Sequence, residues 1–205
     1  MSTSPVPSLI ETSGLNRSAV QALVSDTLRD AEDGELFLER RQSENLVFDD
    51  GKLKGASFDE SQGFGLRAVR GETAAYAHGT ELSLAALRRA SEVCRTVAHG
   101  DGVTMSLSPP RTNRHLYAET NPASAMSFAA KVSLLEKADA FARALDPRVK
   151  QVSVSMSADW QSVEIIRADG SVYKDIRPLV RFNASVVSSN GKEQGQGSHG
   201  LGGRG

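Results

Sequence analysis

Three dipeptides punctuate this chain and constrain its fold more than any other feature: Asp50-Gly51, Asp169-Gly170 and Asn190-Gly191. Asp50-Gly51 marks a tight hairpin and Asp169-Gly170 a turn. Asn190-Gly191 is a strong signal for a type I′ turn, whose two central residues both need φ > 0. Stretches of alternating polarity flank all three, so antiparallel strands must dominate. Before Asp50, Leu36, Leu38 and Arg40 alternate with Phe37, Glu39 and Arg41, and 45–49 continues extended. After it come 52–58, a polar turn at 59–62, then 63–70, and Gly71-Glu72 turns into 73–77. That predicts a meander of about five short strands. Strands resume at 149–157, where Val152, Val154 and Met156 alternate with Ser153, Ser155 and Ser157, and continue through 160–168, 171–175 and 179–189. A returning strand is due after Asn190-Gly191. The run that follows, KEQGQGSHGLGGRG, is glycine-rich and reads as ending unpaired, so the chain is expected to be the front portion of a longer protein.

Helical spacing appears three times. Asn16 or Ser18 caps a helix over 17–31, with Val20, Leu23, Val24, Thr27, Leu28 and Ala31 on one face. Ser83 caps a second over 84–98 that buries Leu84, Leu87, Ala90, Cys94 and Val97. Ser124 or Ser127 starts a third, ending at Leu145 before Asp146-Pro147, with Phe128, Val132, Leu135, Phe141, Ala142 and Leu145 on one side. Helices packed on mostly antiparallel meanders make the fold class α+β. Each half repeats a plan of helix, two strands, Asp-Gly turn and two more strands. Either an internal duplication or two meanders sharing a common turn accounts for it. The expected division is a flexible lead over 1–15, a first helix and meander unit over 16–98, an irregular connection over 99–123, a second unit over 124–189, and a truncated glycine-rich hairpin over 190–205.

Composition excludes several classes of function. With 39% hydrophobic and 24% charged residues in 205, the chain can bury a core. A net charge of −1 leaves no electrostatic footprint for nucleic acid, and the pairs Arg40-Arg41 and Arg88-Arg89 read as solvated faces. Cys94 is the single cysteine, so no internal disulfide forms, and its helical setting marks it as a small hydrophobe. The N-terminus lacks the apolar region of a secretory signal, and no run approaches the ~18 apolar residues of a membrane span. A cytoplasmic location is expected, without a membrane partner.

Chemistry is sparse. His78, His99, His115 and His199 are dispersed, and no two have the helical ligand spacing of a zinc site, so no metal ligand is nominated. Gly195-Gln-Gly197-Ser-His-Gly200 fits a phosphate-binding glycine pattern, and Gly63-Phe-Gly65-Leu-Arg-Ala68 fits its alanine variant. A phosphate cradle needs a strand before it and a helix N-terminus after it. The first pattern runs into the end of the sequence and the second continues as a strand, so both are decoys. Gly63 and Gly65 serve instead a bulge or a close backbone approach. Asp49-Asp50 and Asp59-Glu60 sit at turns. No catalytic residue is nominated. Arg67, Arg70, Arg177 and Arg181 lie near strand ends, where they are candidates for meeting substrate carboxylates, against surface ion pairing as the plainer reading.

The run ELFLERRQSENLVFDDGKLKGASFDESQGFGLRAVRGETAAYAHGTELSLAAL (35–87) resembles the N-terminal part of the TldD/PmbA metalloproteases, most specifically at Asp50-Gly51, 63–69 and Gly71-Glu72. The likeness continues through RVKQVSVSMS, ADGSVYKDIRPLVRFNASVV and Gly202-Gly203-Arg204. IRPLVR (176–181) and the terminal Gly-Gly-Arg resemble the catalytic TldD branch more than its PmbA (TldE) partner. The resemblance implies a cytoplasmic zinc peptidase that works on unfolded peptides as a heterodimer of the two branches. It also implies an H-E-x-x-x-H helix whose histidines bind zinc and whose glutamate activates water, the metal lowering the water's pKa toward ~7. No His-Glu dipeptide occurs here, so no catalytic or metal-binding residue carries over, and zinc is expected in a C-terminal half that follows. The expected role is scaffold and substrate chamber, with exposed strand edges taking extended peptide. The alternatives are a stand-alone interaction module and the N-terminal part of the non-catalytic branch.

Overall fold

A computed structural model describes residues 8–98 and 117–204. The elements run α1 (Leu9–Thr12), α2 (Arg17–Thr27), β1 (Asp33–Asp49), β2 (Lys52–Arg70), β3 (Thr73–Gly79), α3 (Leu84–Ala98), α4 (Phe128–Leu145), β4 (Val149–Arg167), β5 (Val172–Ser189) and β6 (Gln194–Gly203). The strands form one antiparallel sheet in the order β3-β2-β1-β4-β5-β6, which makes the fold α+β as expected. The repeated plan survives in the topology, with three strands per meander where the sequence suggested four.

The strands are fewer and longer than the turn signals predict. The polar run 59–62 does not turn: it lies in the middle of β2, whose residues 52–62 are all exposed. A strand with solvent on both faces shows no alternation, so its polar residues imitate a turn. Asp50-Gly51 behaves as read: Asp50 takes φ +53° and Gly51 +76°, closing the two-residue turn between Asp49 and Lys52.

The sharpest correction concerns the C-terminal run. It is not unpaired: β6 pairs with β5 from Ser189↔Gln194 to Val180↔Gly203. Main-chain groups build that ladder, and Ser188 Oγ also donates across it to Gly195 O at 3.4 Å. A Cβ on Gly202 would fall 2.6 Å from the main-chain oxygen of Val180, so glycine there lets β6 lie this close to β5. The type I′ expectation also fails. Asn190 keeps a negative φ, only Gly191 is positive at +89°, and Asn190 Oδ1 accepts from the N–H groups of Lys192 (2.9 Å) and Glu193 (2.8 Å). The side chain of Asn190 thus closes a four-residue loop over 190–193.

The described residues divide into two units, one of 8–41, 61–98 and 161–176 and one of 42–60, 117–160 and 177–204. In the first, α1, α2 and α3 bury Leu9, Ile10, Val24, Leu28 and Leu87 against Leu36, Leu38, Leu66 and Ile166. The caps are those the sequence names: Asn16 Oδ1 accepts from Ala19 N–H at 3.0 Å, and Ser83 Oγ from Ala86 N–H at 3.1 Å. The first helix stops at Thr27, short of 31, because Leu28 is its C-cap. From Ser8 onward the expected flexible lead is instead a helical turn with Leu9 and Ile10 buried. Glu164, 1% exposed on β4, holds it by accepting from Leu9 N–H (2.7 Å) and Ser8 Oγ (2.9 Å), with Arg17 Nη1 at 3.3 Å. Residues 1–7 lie outside the described residues.

In the second unit, α4 packs Leu135 on Leu46, Phe48, Val152, Val154 and Met156. Ser127 Oγ caps it by accepting from Ala130 N–H at 3.3 Å. Its inner face keeps Val132, Leu135 and Ala142 of the expected set and differs in the rest. Lys131, Leu135 and Asp139 turn inward, while Phe128, Phe141 and Leu145 stand 51%, 67% and 69% exposed. Ion pairing permits this: Lys131 Nζ pairs with Glu44 and donates to Ala123 O, and Asp139 accepts from Arg143 Nε at 3.0 Å. Among the described residues, no helix is long and apolar enough to cross a membrane.

Candidate functional site

Three features of the described residues can engage another molecule. The first is the outer edge of β6. It ends the sheet, all ten of its residues are exposed, and Gly195, Gly197, Gly200, Gly202 and Gly203 put no side chain over the backbone. An edge strand offers a row of main-chain donors and acceptors, and bare glycines leave that row open. Just beyond the strand, the Arg204 guanidinium stacks on Tyr117 at 5.3 Å from the ring centroid.

The second is a groove of about 280 Å³ in the first unit, lined by Phe37 and Glu39 of β1, 61–65 of β2, and Tyr76, His78 and Gly79 of β3 with Thr80 beyond it. The antiparallel register sets Gly65 opposite His78 and Arg67 opposite Tyr76. The Tyr76 and His78 rings stack at 5.6 Å with 24° between their planes. Gly65 forms the floor, since a Cβ there would come within 2.6 Å of Tyr76 Oη. The third, another groove of about 280 Å³, lies between the end of β3 and α3, walled by Phe64, Ala86, Ala90 and Val93.

The arginines named from sequence do not converge. Arg67 donates through Nε to Glu35 (2.8 Å) and through Nη2 to Asp33 (2.8 Å), and Arg167 also pairs with Asp33. The hydrogen bond to Glu35 is the main reason the Arg67 guanidinium holds its proton more firmly than usual. Its charge is met by carboxylates of its own unit. Arg70 and Arg177 are likewise engaged within the fold. Arg181 is exposed on β5 opposite Gly202.

Cys94 is buried and donates to Leu66 O at 3.2 Å, and burial pushes its thiol pKa up, as suits a small core residue. Of the histidines, His78 stacks on Tyr76 and His199 is exposed on β6, while His99 and His115 lie outside the described residues. Among the described residues, no group of three or more His, Cys, Asp or Glu could hold a metal ion, so these residues do not fit a zinc site. The connection expected over 99–123 falls outside the described residues up to 116. Beyond that, Asn121 Nδ2 donates to Gln42 Oε1 at 2.6 Å and Trp160 Nε1 to Glu119 O at 3.4 Å.

Sequence reasoning missed Phe37, Glu39, Tyr76 and His78. Their i, i+2 spacing on β1 and β3 was a signal that each pair shares a strand face, but only strand pairing brings the two pairs together.

Domain 1 of the PmbA/TldA metallopeptidases matches residues 34–98, and their central domain matches 121–205. The chain belongs to the TldD/PmbA metallopeptidase family. A TldD metalloprotease homologue from Haemophilus influenzae is 37% identical over 180 residues, 86% of this chain and 37% of that protein. One from Buchnera aphidicola (subspecies Acyrthosiphon pisum) is 30% identical over 173 residues, 83% of this chain and 36% of the relative. The chain thus spans little more than a third of these relatives. The crystal structure of TldE from Thermococcus kodakarensis has the same fold, with a TM-score of 0.74 at 15% identity over 91% of this chain and 43% of that one.

Proposed function

We propose that this chain is the N-terminal, substrate-handling portion of a cytoplasmic TldD-like metalloprotease subunit. It contributes scaffold and chamber wall, and it guides extended, unfolded peptide along the outer edge of β6. The open ten-residue glycine-rich edge is the observation that carries this reading. Such an edge pairs with peptide main chain and so tolerates diverse sequences, which suits a protease of broad substrates. In this proposal the zinc and the water-activating group belong to residues outside these 205, and a TldE-like paralogue completes the assembly. The TldD branch is favoured because both curated relatives above are TldD homologues.

The test is fluorescence anisotropy of a labelled unfolded decapeptide against the 205-residue chain, beside the same peptide N-methylated at alternate backbone amides. Saturable binding that methylation weakens by about tenfold or more is expected, since each methyl removes a main-chain donor. Equal affinity for the two peptides, or no binding of either, would overturn the edge reading. Stoichiometric zinc in the purified chain would overturn the assignment of the metal to other residues.

A further inference from the structure

The groove beside β3 has a chemistry distinct from the β6 edge. Phe37 and Glu39 stand two residues apart on β1 and so share one face of the sheet. Tyr76 and His78 do the same on β3, with Gly65 as a floor between the strands. Among the described residues, no hydrogen bond or ion pair engages the half-buried Glu39 carboxylate. The nearby cation Arg67 already spends its charge on Glu35 and Asp33. Tyr76 is 61% exposed, so part of its ring is open to a ligand. An uncommitted carboxylate beside two aromatic rings therefore waits without a counter-charge.

We propose that this groove is a side-chain pocket for an arginine of a bound peptide. It rests on the reading of the chain as a peptide-handling module and adds a residue preference to it. A guanidinium is planar and weakly hydrated, so it lies against the faces of Tyr76 and Phe37 while its N–H fork meets Glu39. Cation–π contact and a charge-assisted hydrogen bond each strengthen when the ligand excludes water. The space of about 280 Å³ is below the size of a drug-like site and suits a single side chain.

The probe is N-acetyl-L-arginine amide, whose capped ends imitate a residue within a peptide, titrated into the 205-residue chain by NMR. Its neutral isostere, N-acetyl-L-citrulline amide, is the control. The arginine amide is expected to shift the Tyr76 and His78 ring signals saturably, with the citrulline amide about tenfold weaker. In Glu39→Gln the preference for the arginine amide is expected to shrink to about threefold or less, the part that cation–π contact alone supplies, while signals elsewhere in the protein confirm an unchanged fold. The proposal is overturned if neither amide moves those rings, if both move them equally in the parent chain, or if Glu39→Gln keeps the full preference. Because the amide has too little backbone to pair with β6, failure here and failure of the edge reading are separately visible.

Discussion

The two units solve the same packing problem with different completeness. The first covers its strands with three helices and gathers Leu9, Ile10, Val20, Val24, Leu87 and Cys94 into one cluster, leaving Val93 exposed; among its described residues the one fully buried carboxylate, Glu164, caps α1. The second has one helix, buries a lysine and an aspartate on it, and leaves Phe128, Phe141 and Leu145 outside. Burying ion pairs contributes less than burying apolar surface, because desolvation offsets most of the attraction. On α4 the buried positions thus include charge while two phenylalanines stay outside.

This contrast can be broken by substitution. The largest effect is expected at Glu164→Ala, which leaves the Leu9 and Ile10 N–H groups and the Arg17 guanidinium without their buried acceptor. A loss of about 3 kcal/mol in urea unfolding is expected, with faster hydrogen exchange at both amides; a loss under about 1 kcal/mol would show the first unit to be less interlocked than described. The double substitution Phe141→Ser with Leu145→Ser should change stability by less than about 0.5 kcal/mol, since neither side chain is buried. It should reduce self-association in light scattering, and a large loss of stability instead would erase the difference between the units. The smallest effect is local. Hydrogen bonds from Arg148 lower the Asp146 pKa to about 2. A lowered carboxylate pKa favours the fold above the ordinary aspartate range, and that contribution fades as pH falls toward the folded value. The NMR-detected titration of Asp146 should therefore centre near about 2 and return toward ordinary aspartate values in Arg148→Gln.

How much of this was legible follows from how local each cause is. Asn16, Ser83 and the Asp50-Gly51 turn act within a few residues, and the sequence located all three. Ser8 reaches its carboxylate 156 positions along the chain, and Lys131 reaches Glu44 across 87. No window of periodicity contains such partners, so α1 and the buried Lys131 and Asp139 of α4 were missed, while Val132, Leu135 and Ala142 were placed correctly. β6 failed for another reason: glycines carry no polarity to alternate, so a strand made of them is silent to any pattern search. The groove was hidden because β1, β2 and β3 each contribute a fragment of it.

The family's first domain matches 34–98 and its central domain 121–205, yet each spatial unit borrows from both stretches: Glu164 and Ile166 serve the first unit, and Leu46 and Phe48 the second. A cut between the two matched regions would therefore divide the sequence without dividing the fold, giving two halves that each lack part of both cores. Either half alone would leave bare the apolar surface that the other covers in the intact chain.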